Sequence, residues 1–193
     1  IQFAKDLGYR IKLLGMAKKT EIGIQQRVHP CMVPISTPIA HVEGVYNAVV
    51  TEGSFVGQTM YEGRGAGEGP TASAIVADII DIALARNTNL FLLPTDKLEK
   101  MYVAPMSSYK GSYYARFMVI DKTGVFATIA NALNDNGVSM ESVLQRGRSE
   151  SEAVPVVLTT HETDEASLIR ALEAIERSKV VVEPPRFIKI ESF

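Results

Sequence analysis

Alternating apolar and polar positions mark strands in two parts of this chain, and apolar residues three and four apart mark the helices. Residues 9–17 form a dense apolar run interrupted by Arg10 and Lys12, which predicts a strand. Residues 18–21 are a polar turn. Residues 22–33 then alternate, with Ile22, Ile24, Gln26 and Val28 on one side and Gln25, Arg27 and His29 on the other. That is the pattern of a half-buried strand with Pro30 near its end or at an edge. Residues 45–52 and 54–61 predict a strand pair, with Gly53 at the turn. A helix follows over residues 71–86. Ala74, Ile75, Ala77, Ile79, Ile82 and Ala83 make it apolar over most of its girth, so it is expected to pack against a sheet. Ahead of all this, residues 1–8 read as the back half of an amphipathic helix capped by Gly8. They lack an N-cap and an initiator Met, which predicts a piece of a longer chain.

Periodicity breaks over residues 87–112, where Pro94, Pro105, two adjacent serines and Gly111 predict a linker. The segment 101–106 is expected to lie extended on the preceding domain. From residue 113 the rhythm changes. Tyr113, Ala115, Phe117 and Val119 alternate with Tyr114, Arg116, Met118 and Ile120 in a strand. A turn at 121–124 opens a helix over 125–136, with Phe126, Ile129, Ala130 and Leu133 as its inner face. Strands at 138–145 and 154–160 flank a charged hairpin loop, 146–152. A second helix, capped by Thr163 or Asp164, runs to Ser178 through Leu168, Leu172 and Ile175. A last strand, 187–190, follows Pro184 and Pro185. The order βαββαβ is the ferredoxin-like arrangement, four antiparallel strands with two helices on one face. The fold class is therefore α+β.

Between the hairpin and the 71–86 helix lies Tyr61-Glu62-Gly63-Arg64-Gly65-Ala66-Gly67-Glu68-Gly69-Pro70. Glycine lets a ligand approach main chain closely, and a helix N-terminus favours an electron-rich group. The spacing is not G-x-G-x-x-G. From the pattern alone the stretch is either a ligand cradle or a tight strand-to-helix turn. The 193 residues carry a net charge of −2, which gives no footprint for nucleic acid. No apolar run is long enough for a membrane span. Cys31, the sole cysteine, is expected to be a small buried residue, and the setting to be a reducing cytoplasm. His29, His41 and His161 show no metal-ligand spacing, so no metal is expected.

Residues 9–17 and 70–79, the glycine segment between them, His29-Pro30 and residues 38–48 closely resemble the catalytic domain of homoserine dehydrogenase in its C-terminal half. Asp121-Lys122-Thr123-Gly124-Val125-Phe126-Ala127-Thr128-Ile129-Ala130 and residues 136–143 resemble an ACT domain, a small module that binds amino acids. Monofunctional bacterial homoserine dehydrogenases carry an ACT domain at this place. The resemblance implies three segments. Residues 1–93 would be the C-terminal part of a mixed-sheet catalytic and dimerisation domain, 94–112 a linker, and 113–193 a regulatory ACT domain.

The family's reaction is the NAD(P)-dependent interconversion of aspartate semialdehyde and homoserine, on the route to threonine, methionine and isoleucine. The resemblance implies that Gly67, Gly65, Gly63 and Glu62 contact the nicotinamide cofactor, NADP or NAD. It implies no catalytic residue here. The family's lysine motif and its G-x-G-x-x-G domain are expected upstream of Ile1, so the piece is expected to be inactive alone. Lys12 is expected to be structural. In the second domain Asp121, Gly124 and Val125 would hold an amino-acid effector, threonine first. Ser139 and Met140, on the second strand, would face that turn in a side-by-side pair of domains. A homodimer or homotetramer is implied. Other readings are a module kept only for dimer contact, a free-standing amino-acid sensor, and an aspartokinase regulatory region. The last leaves the glycine stretch unexplained.

Overall fold

In the computed structural model the described residues are 1–86, 94–147, 149 and 152–193. They divide into two compact units, Ile1–Ile35 with Tyr102–Phe193, and Ser36–Met101. This division does not follow the expected segments 1–93, 94–112 and 113–193, because the first two strands join the sheet of the last segment.

That sheet runs β1 (Tyr9–Thr20), β2 (Gly23–Pro34), β9 (Arg186–Ile190), β5 (Lys110–Ile120), β7 (Ala153–Thr160) and β6 (Met140–Gln145), with the short β8 (Thr163–Asp164) beside β5. β1 (Tyr9–Thr20) and β2 (Gly23–Pro34) form a hairpin in register from Tyr9 opposite Pro34 to Thr20 opposite Gly23. β1 is longer than its apolar run suggests, because Lys18 and Lys19 continue the ladder. The turn shrinks to Glu21-Ile22, and Gly23 takes φ +138°. A Cβ there would lie 2.3 Å from the Tyr102 carbonyl oxygen. Ile24 donates to Tyr102 O and accepts from Ala104 N–H, so residues 102–104 line up along β2.

The βαββαβ order comes out as expected. β5 (Lys110–Ile120), α3 (Val125–Asp135), β6 (Met140–Gln145), β7 (Ala153–Thr160), β8 (Thr163–Asp164), α4 (Glu165–Arg177) and β9 (Arg186–Ile190) follow in turn. β5 pairs antiparallel with β7 and β9. Tyr113, Ala115, Phe117 and Val119 point from β5 into the core, where Val156 and Leu158 of β7 meet Ile129 and Leu133 of α3 and Leu168 and Ile175 of α4. Burying each large side chain stabilises by roughly 1.5–3 kcal/mol. The inner face of α3 differs from the expected one. Phe126 is 43% exposed, and Val125 is buried in its stead, because the helix starts at Val125 with Gly124 as N-cap. The opposite face of the sheet buries Met32 and Ile190 under Ala4 of the short α1 (Gln2–Asp6). Residues 87–93 of the expected linker, and 148, 150 and 151 of the expected charged hairpin loop, lie outside the described residues.

In the second unit β3 (Tyr46–Gly53) and β4 (Gly57–Arg64) make the expected hairpin, shifted. Gly53 ends β3 and Gly57, at φ +72°, begins β4, so the turn is Ser54-Phe55-Val56. Then comes α2 (Glu68–Ala83), three residues earlier than expected. Pro70 sits inside its first turn, where its missing N–H costs nothing. None of the residues of α2 is buried. Ile75, Val76, Ile79 and Ile82 are each more than half exposed, so the packing of this helix on a sheet is not found. An apolar girth predicts burial, but nothing in its own unit covers it.

Candidate functional site

Two places inherit the sequence's functional expectations. The first is the end of β4 and the start of α2. Glu62 and Gly63 lie within β4, opposite Ala48 and Asn47. Gly63 is thus a strand residue, and a Cβ on it would meet no atom within 4 Å. Gly65 donates to the Val45 carbonyl at 3.0 Å, and a Cβ there would overlap Asn47 Nδ2 at 1.4 Å. Gly67 is the N-cap of α2, at φ +125° and ψ 151°, a conformation side chains rarely adopt. No side chain caps the helix. The segment from Glu62 to Glu68 is solvent-exposed throughout. Exposed glycine backbone leading into an uncapped sixteen-residue helix can receive an electron-rich group. The structure therefore lines up Glu62, Gly63, Gly65 and Gly67 along one open strand-to-helix passage.

The second place is the turn from β5 to α3. Gly124 takes φ +91°, ψ −12°, the left-handed conformation. Its carbonyl accepts from Thr128 N–H at 2.9 Å and from the Thr128 hydroxyl at 3.1 Å. Val125 N–H is already spent within the turn, donating to Lys122 O at 3.3 Å. Beside the turn lies an open depression of about 320 Å³, bordered by Lys122, Thr123, Gly124, Val125, Thr128 and, from beyond α4, Lys179 and Val182. Gly124 and Val125 thus meet at one concavity. Asp121 is half-buried and does not line it. Ser139 and Met140 stand apart at the head of β6, where the Ser139 carbonyl accepts from His161 N–H. Lys122, Thr128 and Lys179 were missed. Lys179 takes φ +59° just past α4, a position where glycine would have been the signal and lysine gave none.

Two further residues, Cys31 and Lys12, lie opposite one another on the β1–β2 hairpin. Cys31 is fully buried, and burial, then the Glu191 carboxylate, push its thiol up to about 11, so it is no nucleophile at neutral pH. Lys12 stands opposite Cys31, half-buried, with its ammonium lowered by burial and then by Arg10. Among the described residues no cluster of three metal-ligating side chains occurs, and no helix is long and apolar enough to cross a membrane.

Comparison with known proteins bears on both places. The homoserine dehydrogenase family model matches residues 1–80, which contain the whole glycine passage. The ACT domain model matches residues 113–178, which contain the β5–α3 turn. A homoserine dehydrogenase of Helicobacter pylori is 40% identical over 192 residues, all of this chain and 45% of that protein. The whole of this chain thus matches part of a homoserine dehydrogenase. A second homoserine dehydrogenase, of Neisseria gonorrhoeae, is 41% identical over 199 residues, covering all of this chain and 46% of the relative. The crystal structure of a homoserine dehydrogenase from Thiobacillus denitrificans superposes with a TM-score of 0.86 at 38% identity, over all of this chain and 44% of that one. The chain thus spans just under half the length of the family members it matches.

Proposed function

We propose that this chain is the C-terminal, regulated portion of an NAD(P)-dependent homoserine dehydrogenase, which interconverts aspartate semialdehyde and homoserine. The observation that carries the reading is the exposed glycine passage ending in the uncapped N-terminus of α2, within the segment that matches the family. Residues 1–93 are its share of the catalytic domain, and the catalytic groups lie in the part of the relatives that this chain does not span. Gly63, Gly65 and Gly67 would admit the nicotinamide end of NADP or NAD close to main chain, with Glu62 beside them. When bound, that cofactor supplies the hydride. The apolar faces of α2 would be covered by the remainder of the enzyme.

Residues 113–193 form the regulatory domain, with 94–112 as its tether and threonine as effector. Lys122, Lys179 and the left-handed Gly124 at the start of α3 suit an α-carboxylate. The strand β6 closes one side of the sheet, with Met140 and Val143 exposed. Two copies meeting along β6 would bring Ser139 and Met140 of one to the turn of the other, with Asp121 for the α-ammonium. That arrangement makes the protein a homodimer or a pair of dimers, working in the cytoplasm.

Gly63→Val in the full-length enzyme tests the cofactor assignment. A Cβ at Gly63 would meet no atom within 4 Å, so folding should be unaffected while KM for the nicotinamide cofactor rises at least tenfold. An unchanged KM would remove the glycine passage from the cofactor site.

A further inference from the structure

We infer that the junction of β2 with β9 is an undocking seam, at which the β1–β2 hairpin separates from the ferredoxin-like sheet, with Glu191 setting how often. The inference is independent of the effector assignment. β2 belongs to the segment that matches homoserine dehydrogenase, and β9, just beyond the ACT match at 113–178, completes the ferredoxin-like sheet. Their ladder has only two pairs, Cys31 with Lys189 and Met32 with Ile190, extended by Glu191 N–H to the Met32 carbonyl at 2.9 Å. It is parallel, the weaker geometry per residue. β1 with β2, and β5 with β7, are by contrast paired along most of their lengths.

On one face of the seam the side chains are charged and buried, and on the other Met32 and Ile190 pack with Ala4. Arg27 donates through Nε and Nη2 to the two carboxylate oxygens of Glu191, at 2.9 and 2.8 Å. Both side chains are 6% exposed. The Tyr109 hydroxyl donates to Glu191 Oε1 at 3.3 Å, and the Arg27 guanidinium lies 4.6 Å from the centre of the Tyr109 ring. His29 Nε2 is 3.2 Å from the same carboxylate without hydrogen-bond alignment. That nitrogen, Arg27 Nη1 and the Tyr113 hydroxyl are all buried with no hydrogen-bond partner among the described residues. A buried ion pair returns little net stability once desolvation is counted, and each unsatisfied buried polar atom subtracts more. The most ordered-looking contact of the seam is thus a weak net contributor to docking.

β9 itself is secured elsewhere. It pairs with β5 from Ser112 to Arg116, and Lys189 forms an ion pair with Glu165 in the first turn of α4. The hairpin can therefore leave while β9 stays, taking residues 102–104 along with Ile24.

Hydrogen exchange on the 193-residue chain, read residue by residue, tests this. The Glu191 amide, which donates to the Met32 carbonyl across the seam, should exchange at least tenfold faster than the amides of 116–119 and 156–158. Glu191→Gln leaves Arg27 without its counter-charge and should speed this seam amide on the order of a hundredfold while β5 and β7 stay unchanged. The apolar pair Arg27→Met with Glu191→Leu should fold and slow the seam below the parent rate. A seam amide that exchanges at the rate of β5 and β7 in the parent would overturn the inference, because opening would then be global. So would Glu191→Gln accelerating both regions equally, or the apolar pair exchanging faster than the parent.

Discussion

Replacing Gly124 separates two consequences of one backbone conformation. At φ +91° and ψ −12° it is left-handed, and a Cβ built on it meets no atom within 4 Å. Any cost of a side chain there is therefore conformational and not steric contact. For valine, β-branched and rarely found in this region, the cost should be about 1–3 kcal/mol. For asparagine, which tolerates the left-handed region, it should be a few tenths of a kcal/mol. In a chain of this size 1 kcal/mol moves the midpoint by about 2–4 °C. Gly124→Val should thus melt roughly 2–12 °C below the parent, and Gly124→Asn within about 2 °C of it, by circular dichroism. Both place a side chain beside the depression, and both should lose threonine binding. Equal midpoints for the two variants would refute the conformational argument, which expects valine to cost more than asparagine in the left-handed region.

Phe117→Ala, at a fully buried site between sheet and helices, should cost about 3–5 kcal/mol in a urea titration; a loss below about 1 kcal/mol would misplace the core. Asp164 caps α4, accepting from Ser167 N–H and from the Ser167 hydroxyl, and these hydrogen bonds hold its carboxyl below the ordinary value. A lowered folded pKa means the contribution is full above the unfolded value of about 3.9 and disappears as pH falls through the folded one. Asp164→Ala should therefore lower the urea midpoint at pH 6, and the gap from the parent should close below about pH 4; a gap constant down to pH 3 would contradict this.

Much of the fold could be read from local pattern because local packing produced it. The alternation in β5 is legible since one face packs on helices and the other does not. The face of α3 was set one residue off, because its start depends on the left-handed Gly124 and not on the apolar period. The helix α2 shows where local pattern stops: Ile75, Val76 and Ile79 signal burial, yet each is more than half exposed. Gly57 and Gly53 compete for the same hairpin turn, and only strand pairing decides between them. The pairing of Cys31 with Lys189, and of Arg27 with Glu191 across 164 positions, leaves no periodic trace. The same holds for Lys179, brought to the β5–α3 turn by the whole length of α4.

Titrating the unmodified chain with threonine in a calorimeter tests the central claim most directly. Saturable heat approaching one threonine per chain, absent in Gly124→Val, is the result this account predicts. No heat with threonine, isoleucine or methionine from a sample shown to be dimeric would contradict it, and would leave the ferredoxin-like domain a contact surface only.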